Sequence, residues 1–187
     1  GYKIGWIAVR ASEVDSVVES LPVLNSQRQS WSDGISRAYS AETEERLVFF
    51  TPAIDGWVLV VGAALLGEGT EESLAGLRSL VCTLSAKFGE AQAFGSHRVV
   101  DYHHWIQAKS GSCIRCFSFS DQGVSDEGGH TPAEKSFEWE KLESFDWSPN
   151  ESDVMTVAGV WSVDPTQLEA RSEPLGPGVL ATLTSMP

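Results

Sequence analysis

One helical pattern constrains the fold of this chain more than any other feature of its sequence. Thr70 and two glutamates open a segment that closes at Gly89, and large apolar residues recur between them at steps of three and four, at Leu74, Leu77, Leu80, Val81, Leu84 and Phe88. This spacing predicts a helix over residues 71–88 with one apolar side. Such a helix needs a second layer to bury that side, and a sheet is the natural partner.

Several segments have the β-branched and aromatic composition that is typical of strands. They are KIGWIAVR at 3–10, the segments ISRAYSAE, RLVFFTPA and WVLVVGA within 35–63, and a hairpin over 92–120. We therefore predict an α+β fold, with a central antiparallel sheet made of these strands and helix 71–88 packed on one face.

The C-terminal region has a different character from the rest of the chain. Helix-start signals recur there in TPAE, SPNE and DP, so short helices are expected, and the stretch from residue 172 onward is predicted to be an irregular tail. A polar loop is predicted over 25–34. The chain thus divides into an α+β core, 1–120, and an acidic, tryptophan-rich extension, 121–187, packed on the core in one compact domain.

The hairpin VVDYHHWIQAKSGSCIRCFSFS contains the residues that most resemble a chemical site. A two-residue turn at Ser110 and Gly111 places Lys109 opposite Ser112. Strand alternation then assigns Tyr102, His104, Ile106, Cys113 and Arg115 to the core face, and Asp101, His103, Trp105 and Cys116 to the other. In this register the two cysteines point apart and cannot share a metal or form a redox pair, and His104 is a core histidine with its hydrogen bonds satisfied.

Asp101 and His103 share a face at a spacing of two residues, with Trp105 beside them. A carboxylate that orients an imidazole is the beginning of general-base chemistry. No nucleophile stands in a known sequence setting, however, and the favoured interpretation is a polar, aromatic recognition surface on the exposed side of the sheet. No metal is predicted, because the two cysteines point apart and a second pair of ligands is missing. No cofactor is predicted, because the glycine-rich stretch before the long helix has Glu68 where a phosphate-binding loop needs lysine.

The charge distribution limits the partners of this chain. The net charge is −13, and 13 of the 26 acidic residues lie in 121–187 beside only three basic ones. Such a surface repels nucleic acid and anionic lipid and attracts cationic proteins. The three cysteines favour a reducing compartment, and the apolar runs are shorter than a membrane-spanning helix requires, so we expect a cytoplasmic location without disulfides or membrane insertion.

Three segments resemble uncharacterised bacterial proteins: GYKIGWIAVRASEVDSVVESL with its GWIAV strand, FGEAQAFGSHRVVDYHHW with its SHRVVDYHHW block, and DVMTVAGVWSVDP. This resemblance implies no catalytic or ligand residue. In size and charge the chain is also similar to immunity proteins, which neutralise toxins by binding them.

The favoured hypothesis is a non-enzymatic, immunity-like binding module that engages a basic protein partner through an acidic and aromatic surface. The expected binding residues are Asp101, His103, Trp105, Glu138, Trp139, Glu140 and Glu143. One alternative is a small hydrolase or transferase centred on Asp101 and His103. A second is a structural or assembly subunit whose C-terminal third docks on another chain.

Overall fold

The centre of the molecule is an antiparallel sheet, which has nine strands over the residues described by the computed structural model, namely 3–142, 144, 147–168, 171 and 175–185. The strands are β1 Lys3–Arg10, β2 Val23–Gln29, β3 Leu47–Phe50, β4 Trp57–Gly62, β5 Glu90–His97, β6 Tyr102–Lys109, β7 Ser112–Ser120, β8 Gly123–Glu127 and β9 Gly178–Leu183. Their order across the sheet is β2-β9-β3-β4-β1-β5-β6-β7-β8. Together with its helices, this sheet makes the fold α+β, as the sequence predicts.

The α-helices of the described chain are α1 Val14–Val18, α2 Trp31–Ser40, α3 Glu71–Phe88 and α4 Glu151–Trp161. Helix α3 begins where Thr70 Oγ1 accepts a hydrogen bond from Ser73 N at 3.2 Å, and it ends at Gly89, which has a φ of 87°. Its buried Leu77, Val81 and Leu84 belong to one core cluster with strand residues of the sheet. No helix within the described ranges combines the length and apolarity needed to cross a bilayer.

The C-terminal third covers the opposite face of the sheet. A second core cluster joins Trp6, Phe94 and Trp105 of the sheet to Val154 and Val157 of α4. The C-terminal residues also supply two strands, β8 and β9, so the segment 121–187 is built into the sheet as well as packed upon it. Both faces are therefore buried, which gives the strand segments their nearly continuous apolar composition.

Two sequence predictions for the first half of the chain are wrong. The segment ISRAYSAE lies mainly in helix α2, whose first turn is capped by Ser30 Oγ at 3.2 Å from Asp33 N. The expected loop 25–34 contains most of the edge strand β2, which pairs with β9. Helix α2 forms because Ala38 and the partly buried Ile35 pack on Phe49 of β3, a partner that is not visible in the local sequence.

The predicted irregular tail is also wrong, because residues 178–183 form strand β9 between β2 and β3. This strand pairs with β3 from Leu47↔Thr182 to Phe50↔Val179. Gly176 and Pro177 precede the strand and Gly178 begins it, so these residues do not interrupt its hydrogen bonds.

A β-bulge in β7 corrects the predicted hairpin register. Lys109 pairs with Ser112 and Ala108 with Cys113, as predicted, but the next pair is Gln107 with Arg115. The extra residue is Ile114, and beyond it every side chain of β7 lies on the opposite face from the one expected. Cys113 and Cys116 consequently share a face, and the prediction that they point apart is wrong.

The two thiols lie in the core beneath α3, where Cys116 belongs to the same cluster as Leu77 and Val81. Burial raises the pKa of Cys116 to about 12 and also raises the pKa of Cys113. Both are therefore protonated at neutral pH and act as small apolar side chains. Among the described residues, no group of three or more histidine, cysteine, aspartate or glutamate side chains is placed to hold a metal ion.

Candidate functional site

The β5–β6 turn brings Asp101 and His103 together, as their spacing predicts. Asp101 has a φ of 50°, and its Oδ1 lies 3.3 Å from His103 Nε2. The other ring nitrogen, Nδ1, lies 3.2 Å from the hydroxyl of Ser96, which is directly opposite His103 on β5. Ser96 is not among the site residues predicted from the sequence, although hairpin pairing around the turn at 98–101 places it opposite His103.

Hydrogen bonds thus connect Ser96, His103 and Asp101, but the serine and the histidine are buried in the core. Ser96 is fully buried and His103 is 1% exposed. Burial lowers the pKa of His103, against the opposing effect of the nearby Asp101 carboxylate. These residues line neither the groove between α3 and strands β7 and β8 nor the cavity between α2 and the sheet. In this arrangement the line of hydrogen bonds satisfies buried polar groups beneath α4.

Trp105 is also buried. The prediction that Asp101, His103 and Trp105 form an exposed surface is therefore wrong for His103 and Trp105. The indole of Trp105 is 0% exposed, stacks on Phe117 at 4.3 Å between ring centroids, and donates from Nε1 to Glu134 Oε1 at 2.9 Å. Of the three side chains only Asp101 reaches solvent. The C-terminal third covers this face, which strand alternation alone does not reveal.

Glu134 and Arg115 form a fully buried ion pair on this covered face. Arg115 Nη2 lies 2.6 Å from Glu134 Oε1, and Arg115 Nη1 also reaches Asp126 at 2.5 Å and the carbonyl oxygen of Glu127 at 2.9 Å. Burial raises the pKa of Glu134, but hydrogen bonds from Arg115 and Thr131 outweigh it and hold the pKa below its ordinary value. The pair is therefore charged at neutral pH and ties the C-terminal third to β7.

His104 lies on the opposite face of β6 from this ion pair. It is fully buried, as predicted, but neither ring nitrogen has a hydrogen-bond partner among the described residues, so the expectation of a satisfied histidine is wrong. Arg115, which the predicted register placed beside it, faces the other way. Burial lowers the pKa of His104 to about 3, and the ring is neutral.

An aromatic cluster on the covered face reaches the protein surface at His130 and Trp139. Its members are rings that contact one another in stacked, tilted or edge-on arrangements, namely Trp105, Phe117, His130, Phe137, Trp139 and Trp147. The most accessible pair is His130, 41% exposed, stacked on the partly exposed Trp139 at 3.9 Å between ring centroids. Trp139 is anchored by a hydrogen bond from its Nε1 to the carbonyl oxygen of Glu134 at 3.2 Å.

The predicted acidic residues flank this aromatic pair. Glu138 and Glu140 are both exposed, on either side of Trp139, and Glu138 pairs with Lys141. Glu143 lies outside the described residues. The structure therefore brings Glu138, Trp139 and Glu140 to the surface, whereas His103 is buried beneath α4 and Asp101 is exposed at the β5–β6 turn.

Two cavities open elsewhere on the described chain. A polar groove of about 710 Å³ lies between the start of α3 and strands β7 and β8. An apolar cavity of about 250 Å³ lies between α2, the sheet and the turn after α4, with Trp6, Trp31 and Tyr39 in its wall.

Comparisons of the chain with known protein families, with curated proteins and with solved structures found no match.

Proposed function

We propose that this protein is a non-enzymatic binding module for a basic protein partner, and that the surface formed by His130, Glu138, Trp139 and Glu140 is its binding site. The observation that carries the proposal is the accessible, stacked His130–Trp139 pair between two exposed glutamates. Tryptophan is enriched among the residues that dominate binding energy, and surrounding charges select the partner.

The rigidity of this surface supports the same function. Trp139 is held edge-on against Phe117 at 5.2 Å and against Trp147 at 5.5 Å between ring centroids, in addition to its hydrogen bond to Glu134. An aromatic side chain that is already held in place loses little entropy when a partner packs on it. The surplus of acidic residues in 121–187 adds an attractive field for a cationic protein.

An immunity-like role, in which this module binds and neutralises a basic toxic protein, is the biological setting we propose. It accounts for a binding surface that is acidic and aromatic. It also needs no catalytic group.

A hydrolase or transferase remains the second candidate because Ser96, His103 and Asp101 are connected by hydrogen bonds. The complete burial of Ser96 argues against it, since a nucleophile must reach its substrate. A serine-reactive phosphonate probe that labelled Ser96 in the folded protein would support this alternative, and an unlabelled protein would remove it.

The binding proposal is tested by charge reversal with a matched control. One variant carries Glu138→Lys and Glu140→Lys, and the control carries Glu13→Lys and Glu19→Lys, which lie beside α1 on the opposite face of the sheet. Each substitution adds two positive charges, so both variants have a net charge of −9 instead of −13. Only the position of the change differs between them.

The measurement is capture of a stoichiometric cationic partner, followed by its association rate at several salt concentrations. We expect the Glu138/Glu140 variant to associate about tenfold more slowly at low salt and the control to change much less. Equal rates for the two variants would show that the acidic surface acts only through net charge. Absence of any cationic partner would contradict the binding function itself.

A further inference from the structure

Strand β8 is one of the two edge strands of the sheet formed by the described residues. It forms five consecutive pairs with β7, from Cys116↔Glu127 to Ser120↔Gly123, without a register shift. The other edge strand, β2, has an irregularity between Leu24 and Gln27, and Asn25 there has a φ of 57°. Bulges hinder the addition of a further strand, whereas a regular edge presents outward backbone groups at the spacing that a new strand requires.

The polar groove runs along the inner side of this edge. Its floor contains Ser118 and Ser120 of β7 and Ser125 of β8, and its wall is the first part of α3, including Glu71 and Glu72. Helix α3 packs over β5, β6 and β7. The groove is therefore open at β8, and side chains of a strand added there would point into it.

The charge of the groove selects a cationic occupant. Glu71 and Glu72 are exposed and have no cationic partner among the described residues. The basic residue of the lining, Arg78, is already paired with Glu127 at 2.7 Å. A second copy of this chain would place the same acidic lining beside this one, and like charges disfavour that pairing.

We propose that an extended basic segment of a partner protein adds a tenth strand to β8 and places alternate lysine or arginine side chains in the groove. Side chains alternate along a strand, so the residues of β8 that face the groove are Gly123, Ser125 and Glu127, opposite Ser120, Ser118 and Cys116. The recognised segment therefore has basic residues at every second position. This inference shares with the proposed function only the requirement for a cationic partner, because it concerns the other face of the sheet.

The probe is a short acetylated and amidated peptide of alternating lysine and threonine, titrated into the full chain, with a peptide of alternating glutamate and threonine as its control. Calorimetry gives the affinity, and amide hydrogen exchange followed by NMR reports on β8. We expect saturable binding of the lysine peptide alone, together with slowed exchange at alternate amides of residues 123–127.

The matched variants replace Glu71→Gln with Glu72→Gln in the groove and Glu13→Gln with Glu19→Gln away from it. Glutamine avoids placing positive charge at the start of α3. We expect the groove variant to bind the lysine peptide about tenfold more weakly and the control to bind within about twofold of the unmodified chain. The variant with Glu138→Lys and Glu140→Lys should bind this peptide like the unmodified chain, even if it no longer binds the partner. The experiment therefore distinguishes failure of this inference from failure of the proposed function.

Two results would overturn the inference. One is the absence of saturable binding at about 1 mM peptide. The other is binding without slower exchange in β8, which would mean that the peptide is held by charge alone and adds no strand.

Discussion

Arg115 is the residue whose surroundings differ most from those implied by its neighbours in the chain. A charged residue in a strand normally faces solvent, yet this guanidinium is fully buried. Burial is possible because Glu134, Asp126 and the carbonyl oxygen of Glu127 accept hydrogen bonds from its nitrogens. The nearest of these acceptors in the sequence is eleven residues away, so the pairing depends on the fold.

His104 makes stability depend on pH. In the folded protein burial lowers its pKa to about 3, whereas in the unfolded chain its pKa has the ordinary value of 6.5. Below pH 6.5 the unfolded chain binds a proton that the folded protein does not, so stability falls as the pH decreases from 6.5 toward 3. We expect His104→Leu to reduce the loss of unfolding free energy between about pH 7.5 and about pH 5 by about 2 kcal/mol.

The measurement is urea unfolding at both pH values, and the quantity compared is the difference within each variant, which is independent of its absolute stability. Tyr102→Phe is the control because its ring packs against His104 at 5.3 Å between centroids. Burial raises the pKa of the Tyr102 phenol, so it does not titrate in this range. An unchanged pH dependence in His104→Leu would show that the pKa of this ring is the same in the folded and the unfolded protein.

At the scale of elements, helix α2 illustrates how a tertiary contact overrides a local pattern. The segment ISRAYSAE contains isoleucine and tyrosine, which are enriched in strands. The helix is nevertheless formed, because its buried side docks on Phe49 and Leu180 of the sheet. Gly34 lies at the closest approach, where a Cβ atom would stand 2.2 Å from Phe49 Cε2.

This contact predicts that Gly34→Ala destabilises the protein. Alanine favours an exposed helix over glycine by about 1 kcal/mol, but here the added methyl group overlaps a buried ring, and we expect a net loss of about 1–3 kcal/mol. Thermal or urea unfolding measures the change. Ser36→Ala, at an exposed position of the same helix, is the control and should stay within about 0.5 kcal/mol. Stabilisation by Gly34→Ala would mean that α2 does not pack on Phe49.

At the scale of the whole molecule, the sheet depends on both halves of the chain. Without residues 121–187 the sheet would lose β8 and β9 and would expose Trp6, Phe94 and Trp105 to water. Residues 121–187, which complete the core, also carry most of the net negative charge, because they contain 13 acidic and only three basic residues.

We therefore expect a fragment of residues 1–120 not to fold by itself. Exposed aromatic rings and unpaired strand edges favour aggregation, and the fragment should lack near-ultraviolet circular dichroism and bind a hydrophobic dye. The control is the full chain with a protease site at the exposed turn Gly128–Gly129, whose two fragments should remain associated after cleavage. A folded, monomeric 1–120 fragment would show that the C-terminal third is dispensable for the core.

The sequence by itself determined the elements whose partners lie nearby along the chain. Helix α3 has its cap, its apolar spacing and its closing glycine within one segment. The two-residue turn is predicted from Ser110 and Gly111 alone, and these residues have φ values of 49° and 85° in the structure. The α+β class and the adjacency of Asp101 and His103 follow from similarly local patterns.

Only the tertiary structure decided the features that depend on distant residues. The bulge at Ile114 reversed the faces of Cys116 and Arg115, and the insertion of β9 beside β3 joined residues more than a hundred positions apart. The C-terminal third buried His103 and Trp105, whereas Asp101, Glu138, Trp139 and Glu140 of the predicted site kept access to solvent. The physical reason is that side-chain alternation specifies two faces of a strand, while burial depends on which segment of the chain packs against each face.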